Sequence, residues 1–88
     1  MKNKVTVLYF AALKDITGKE TEEIEVLKTI SLKELSDILI SKYGTKFEEL
    51  LSISMYAVNM EYIEKDKEVT THIHQNSEIA IIPPVSGG

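Results

Sequence analysis

Eighty-eight residues make one domain, and a chain of that length buries somewhat over ~60% of its unfolded surface, enough for one modest core but little for a deep internal active site. With 43% hydrophobic and 27% charged residues the composition is that of a soluble globular protein, and no apolar run approaches the ~20 residues of a membrane helix. A net charge of −4 without a basic cluster argues against nucleic acid as a ligand, and the lack of cysteine excludes disulfides, thiolate metal sites and thiol nucleophiles.

Lys2 and Lys4 ahead of the apolar run Val5–Leu13 imitate a secretory signal. The run is instead β-branched and aromatic, with no small-residue cleavage site before Lys14-Asp15, so a cytoplasmic protein is expected. Val5–Phe10 (VTVLYF) reads as a strand buried on both sides. Ala11–Thr17 reads as a helical turn ended by Gly18, and Glu20–Val26 as a second strand forming a hairpin with the first, its acidic residues on a solvated edge. Ser31 and Glu34 form a capping box, with Leu32, Leu35, Ile38 and Leu39 on one face of a helix running to about Tyr43. Gly44 is expected to be its left-handed cap.

Phe47–Leu51 suggests a further short turn, and Ser54–Val58 a third strand. Asn59-Met60 is a turn, Tyr62-Ile63 begins a fourth strand, and Glu64–Glu68 is a solvated loop. Asn76 suits positive φ in the turn Gln75–Ser77, and Ile79–Ile82 is a fifth strand stopped by Pro83-Pro84. The order β-β-α-β-β-β gives an α+β fold. The apolar first and last strands belong side by side at the sheet centre, parallel because the helix lies in their connection. This is the ubiquitin-like β-grasp: a mixed sheet of about five strands covered on one face by one main helix. Residues 1–82 form the domain and residues 83–88 a C-terminal tail.

The sequence ends Ile82-Pro83-Pro84-Val85-Ser86-Gly87-Gly88. Two final glycines arise by chance in roughly 0.5% of chains. A frayed tail is the bland explanation, but directly after the last strand of a β-grasp a reactive terminus is the better one. A terminal carboxylate can attack the α-phosphate of ATP to give an acyl-adenylate. Gly88 puts no side chain near the reacting carbon, and Gly87 lets the chain thread a narrow channel. Pro83 and Pro84 limit the entropy lost on ordering, about 1–2 kcal/mol for a flexible residue.

These residues resemble the small subunit of molybdopterin synthase, the MoaD type, over nearly the whole chain. Tyr9–Asp15 followed by Gly18 is similar to the family's Phe-Ala-x-x-Arg-Glu-x-x-Gly opening, with Lys14 and Asp15 in place of Arg and Glu. Ala57-Val58-Asn59 resembles its Ala-Val-Asn stretch, and Pro83–Gly88 matches its terminal Pro-Pro-Val-x-Gly-Gly. The resemblance implies a sulfur carrier that is not an enzyme on its own. An ATP-dependent adenylyltransferase of MoeB type adenylates Gly88, and sulfur replaces the adenylate as a thiocarboxylate. A large catalytic subunit of MoaE type, in a heterotetramer, then receives the sulfur for a cyclic pyranopterin monophosphate, two deliveries building the molybdopterin dithiolene. ATP is consumed by the partner, and no cofactor or metal is bound by this chain. A thiazole-synthesis carrier of ThiS type and a protein modifier joined to lysines through Gly88 are the competing readings.

Alternation sends Ile79 and Ile81 to one face of the last strand and Ala80 and Ile82 to the other. With one face free of helix, Phe10, Tyr62 and Ile82 are expected to form an apolar docking patch at the tail's root. The resemblance implies that both partners use this surface, together with the tail residues Pro83, Pro84, Val85 and Ser86. His72 and His74 would share a strand face, but two ligands without acidic or thiolate neighbours make an exposed pair the better reading. Glu20, Glu22, Glu23 and Glu25 read as a solvated edge rather than a docking surface, and adjacent Glu48 and Glu49 do not converge as an acid/base pair.

Overall fold

Strict alternation governs the sheet. The computed structural model describes residues 3–26 and 28–84. Strand β1 (Asn3–Tyr9) buries Val5, Val7 and Tyr9, while Thr6 and Leu8 between them are half-buried. The first strand is therefore covered on one face, not two, because helices pack against only that side. Gly18, at φ 74, ends the short helix α1 (Ala12–Thr17), and the chain returns as β2 (Thr21–Val26), antiparallel to β1. Strand β7 (Glu78–Ile82) runs parallel to β1 on its other side, followed outward by β4 (Met55–Val58) and β5 (Glu61–Ile63). The order β2-β1-β7-β4-β5 sets β1 and β7 together inside the sheet, as the expected β-grasp requires.

Helix α2 (Leu32–Tyr43) crosses the covered face. Its twelve residues make a rod of about 18 Å. Ser31 Oγ accepts the Glu34 N–H at 3.1 Å, and the Ser31 N–H donates to Glu34 Oε1 at 3.1 Å, completing the capping box. The buried face carries Leu32, Leu35, Ser36 and Leu39. Ile38 is exposed, and Ser36 is buried where an apolar residue would be expected. Ser36 Oγ donates to the Leu32 carbonyl and lies 2.6 Å from the Tyr56 hydroxyl, so its polar atom is satisfied in the core. Gly44 has positive φ (92°) but an extended ψ (−162°); it turns the chain directly into α3 (Thr45–Leu51) instead of closing α2 with a left-handed helical residue.

A ribbon of two-residue strands, β3 (Ile30–Ser31) and β6 (His72–Ile73), ties the start of α2 to the approach to β7. The 3-10 turn Lys65–Lys67 lies in the segment read as a loop. Asn59, Met60 and Asn76 take positive φ in the expected turns. The core is one cluster, with Val5, Val7, Tyr9, Leu39, Phe47 and Ile81 at its centre. No helix among the described residues is long and apolar enough to cross a membrane.

Candidate functional site

The helix-free face is built by register. Leu8 stands between Thr21 and Ala80, Ala80 pairs with Ala57, and Ala57 with Tyr62. One apolar row thus crosses the sheet, low at its two alanines and flanked by Leu8 and Tyr62. One step toward the carboxyl end of β7, Ile82 pairs with Met55. Tyr9 pairs with Ile81, so Phe10 leaves β1 at the level where Ile82 follows on β7. Phe10 is 43% exposed, Met55 55% and Tyr62 65%, while Ile82 is half-buried. Phe10, Tyr62 and Ile82 all belong to the open side, and Phe10 is not a core residue. Alternation could not reveal Met55, Leu8 and Ala57 as neighbours of Ile82, because their juxtaposition depends on the β4–β7 and β1–β7 registers.

The same face changes character with distance from the tail. Thr6 pairs with Glu23 on one side and Glu78 on the other, and Lys4 Nζ lies 3.8 Å from Glu23 Oε1. The end near the tail is apolar and the far end charged. The chain leaves β7 through Pro83, which is buried, and Pro84, which is exposed. The expectations for Val85, Ser86, Gly87 and Gly88 fall outside the described residues.

Glu22 departs from the expected solvated edge. It sits on β2 opposite Val7 and is only 7% exposed, while Glu20, Glu23 and Glu25 are exposed. Its Oε1 accepts the Tyr9 hydroxyl at 2.7 Å and the Tyr43 hydroxyl at 2.5 Å. Its Oε2 accepts Lys19 Nζ at 3.2 Å and also pairs with Lys42 Nζ. Burial works against the charged carboxylate, yet hydrogen bonds from Lys42, Tyr43, Tyr9 and Lys19 outweigh it and hold the pKa down to about 2. Burial, reinforced by the carboxylate, raises Tyr9 strongly and Tyr43 to about 12. Tyr9 also meets the Tyr43 and Phe47 rings edge-on, at 6.2 and 6.1 Å. The network clamps the end of α2 to the β1–β2 hairpin at Tyr9, where β1 ends one residue before Phe10.

His72 and His74 are both exposed, and only His72 lies in a strand. Among the described residues no group of three or more histidine, cysteine or acidic side chains could hold a metal. A cleft of about 190 Å³ between α2, α3 and the 3-10 turn is lined by Ser36, Tyr56, Lys65 and Glu68 among others. Lys65 spans it, donating to the Leu51 carbonyl at 2.9 Å with its Nζ 5.0 Å from the Tyr56 ring centre.

The model of the ThiS family matches residues 7–88. The molybdopterin synthase sulfur carrier subunit of Dictyostelium discoideum is 39% identical over 92 residues, covering 100% of both chains. A chain of the protein-protein complex of subunits 1 and 2 of the molybdopterin-converting factor from Helicobacter pylori superposes with a TM-score of 0.68 at 32% identity, covering 97% of this chain and 99% of that one. Small archaeal modifier protein 1 from Methanosarcina acetivorans superposes with a TM-score of 0.79 at 20% identity, covering 100% and 99%, a likeness of fold alone. The fold is therefore the ubiquitin-like β-grasp, and the chain belongs to the ThiS family.

Proposed function

We propose that this chain is the sulfur carrier subunit of a molybdopterin synthase, working through the carboxylate of Gly88. The observation that carries the proposal is the full-length likeness to a relative of that name, joined to the terminal Pro-Pro-Val-Ser-Gly-Gly. The fold alone does not separate a sulfur carrier from a protein modifier; the relatives favour the carrier.

The chemistry follows from having no thiol. A carboxylate oxygen of Gly88 attacks the α-phosphate of ATP within an adenylyltransferase of MoeB type, and pyrophosphate leaves. A sulfur donor displaces AMP, leaving a thiocarboxylate on the main chain. A large subunit of MoaE type then receives the sulfur for the cyclic pyranopterin monophosphate, and two deliveries supply the dithiolene. This chain contributes no catalytic side chain and binds no cofactor; its share is docking and presentation, in a heterotetramer with the large subunit in the cytoplasm. Phe10, Tyr62 and Ile82 form the docking patch, Pro83, Pro84, Val85 and Ser86 lead into the partner, and the two partners compete for them.

Intact mass after co-production with the activating enzyme tests the reading. The expected result is replacement of one terminal oxygen by sulfur, reversed on incubation with the large subunit and the pterin substrate. Conjugates of slower mobility that resist thiols, without any sulfur gain, would identify a modifier instead.

A further inference from the structure

We propose that Met55 is a modification site: peroxide oxidation of its thioether to the sulfoxide closes the docking surface at the tail's root, whereas the same change at Met60 leaves it open. The inference rests on the docking role proposed for the open face. The chain has no cysteine and three methionines, so thioethers are the only side-chain sulfurs it offers to an oxidant. Methionine is commonly a core residue. Both methionines among the described residues are instead exposed, Met55 at 55% and Met60 at 89%. Met1 lies outside the described residues.

The two exposed methionines flank β4 at opposite ends. Met55 opens the strand and pairs with Ile82, which sets their Cβ atoms roughly 4.5–5.5 Å apart. Its neighbour Tyr56 pairs with Ile81, and both are buried in the core, so Met55 belongs to the helix-free side. Phe10 flanks Ile82 from β1 and Met55 flanks it from β4. The chain thus leaves the sheet toward Pro83 between two exposed apolar residues. Met60 lies in the turn beyond β4, between Asn59 and Glu61. There the Asn59 N–H donates to the Glu78 carbonyl at 2.8 Å, and Asn59 Oδ1 accepts the Glu78 N–H at 2.9 Å. Four steps of about 3.3 Å separate Met55 from Asn59, which places the turn about 13 Å away, at the charged end of the face.

In the oxidation, a lone pair of Met55 Sδ attacks one oxygen of hydrogen peroxide. An S–O bond forms, the O–O bond breaks, and the displaced oxygen leaves as water with both protons. Sulfur is oxidised and the peroxide reduced. The apolar side chain becomes polar. In the free chain, water satisfies the new oxygen. A partner that covers Ile82 strips this water, and an oxygen buried without a donor weakens association. A sulfoxide at Met60 stays hydrated whether or not the tail's root is covered. Exposure alone favours oxidation of Met60, so position rather than reactivity decides which sulfoxide matters.

The test uses the full-length chain with its terminus as the carboxylate, so that no thiocarboxylate consumes peroxide. Native, Met55→Leu, Met55→Gln, Met60→Leu and Phe10→Ala chains are measured before and after hydrogen peroxide, with sulfoxides located by peptide mass. Thermal unfolding and affinity for the cognate large subunit are recorded. Oxidation is expected to weaken binding of the native chain about ten- to a hundredfold without lowering its unfolding temperature, and methionine sulfoxide reductases should restore it. Met60→Leu should lose as much on oxidation as the native chain, while oxidised Met55→Leu keeps the affinity it had before treatment. Met55→Gln, polar without any oxidant, should bind weakly from the start. Native affinity in Met55→Gln, an equal loss in oxidised Met55→Leu, or a loss matched by unfolding would overturn the inference. Unchanged affinity in Phe10→Ala would overturn the docking surface itself. Weak binding by Phe10→Ala with no loss in the oxidised native chain would overturn the role of Met55 alone.

Discussion

Tyr9 and Phe10 are adjacent aromatic residues with opposite surroundings. Tyr9 faces the helices, where two rings and a buried carboxylate meet it. Phe10 begins a turn on the other side of the sheet and keeps 43% of its surface in water. The same division runs through β7, where Ile79 and Ile81 are fully buried while Ala80 and Ile82 are half-exposed. The two central strands thus divide through one alternation: the covered face holds the core, and the open face carries the residues proposed for docking. Mutations on the first should change stability, and those on the second should change association.

The tail gives the most extreme version of this separation. Deleting Gly88, or adding one residue after it, is expected to abolish sulfur transfer with no change in thermal unfolding; pterin conversion and melting measured together check both halves. Tyr9→Ala should lose 3–5 kcal/mol of stability through the vacated core volume and the abandoned Glu22 carboxylate, read by chemical denaturation. Glu22→Gln should lose about 2–3 kcal/mol near neutral pH, the half-exposed lysines limiting the effect. Its pH dependence has a definite sign. The folded-state pKa is about 2 against an ordinary 4.5, so the contribution is complete above about 4.5 and disappears as pH falls toward 2. The native chain should therefore lose its advantage over Glu22→Gln across that interval, whereas a constant gap down to pH 2 would contradict the network. Phe10→Ala should change stability little but weaken partner binding by about 2 kcal/mol, roughly thirtyfold. A loss of stability like that of Tyr9→Ala would break the contrast between the faces. Gly87→Ala is the mildest test: it should slow single-turnover transfer at saturating partner and leave unfolding unchanged.

Features that depend on near neighbours in sequence were readable. Ser31 and Glu34 cap a helix from three residues apart, Gly18 ends the short helix as expected, and Asn76 takes the positive φ expected of it. Strand alternation correctly divided β7. What failed depended on distant partners. Glu22 looks like its three acidic neighbours until Lys42 and Tyr43 arrive from the end of α2. Ser36 looks like a surface residue until the Tyr56 hydroxyl reaches it. The β3–β6 ribbon joins pairs of residues about forty positions apart, too short to show a period. On the open face, alternation spoke only for Phe10 and Ile82; Tyr62 is joined to the row through its pairing with Ala57, and Met55 through its pairing with Ile82.

The burial of Pro83 has a consequence for traffic between partners. With Pro83 buried against the domain, the five residues after it, 84–88, would span at most about 17 Å if fully extended. That tether is too short to swing between two distant reaction centres while the domain stays in place. In the cycle proposed above, the carrier then travels as a whole body: it lets go of the loading enzyme before it is unloaded. Residence time on each partner then enters the cycle rate directly, and excessively tight docking would slow delivery as surely as a damaged terminus.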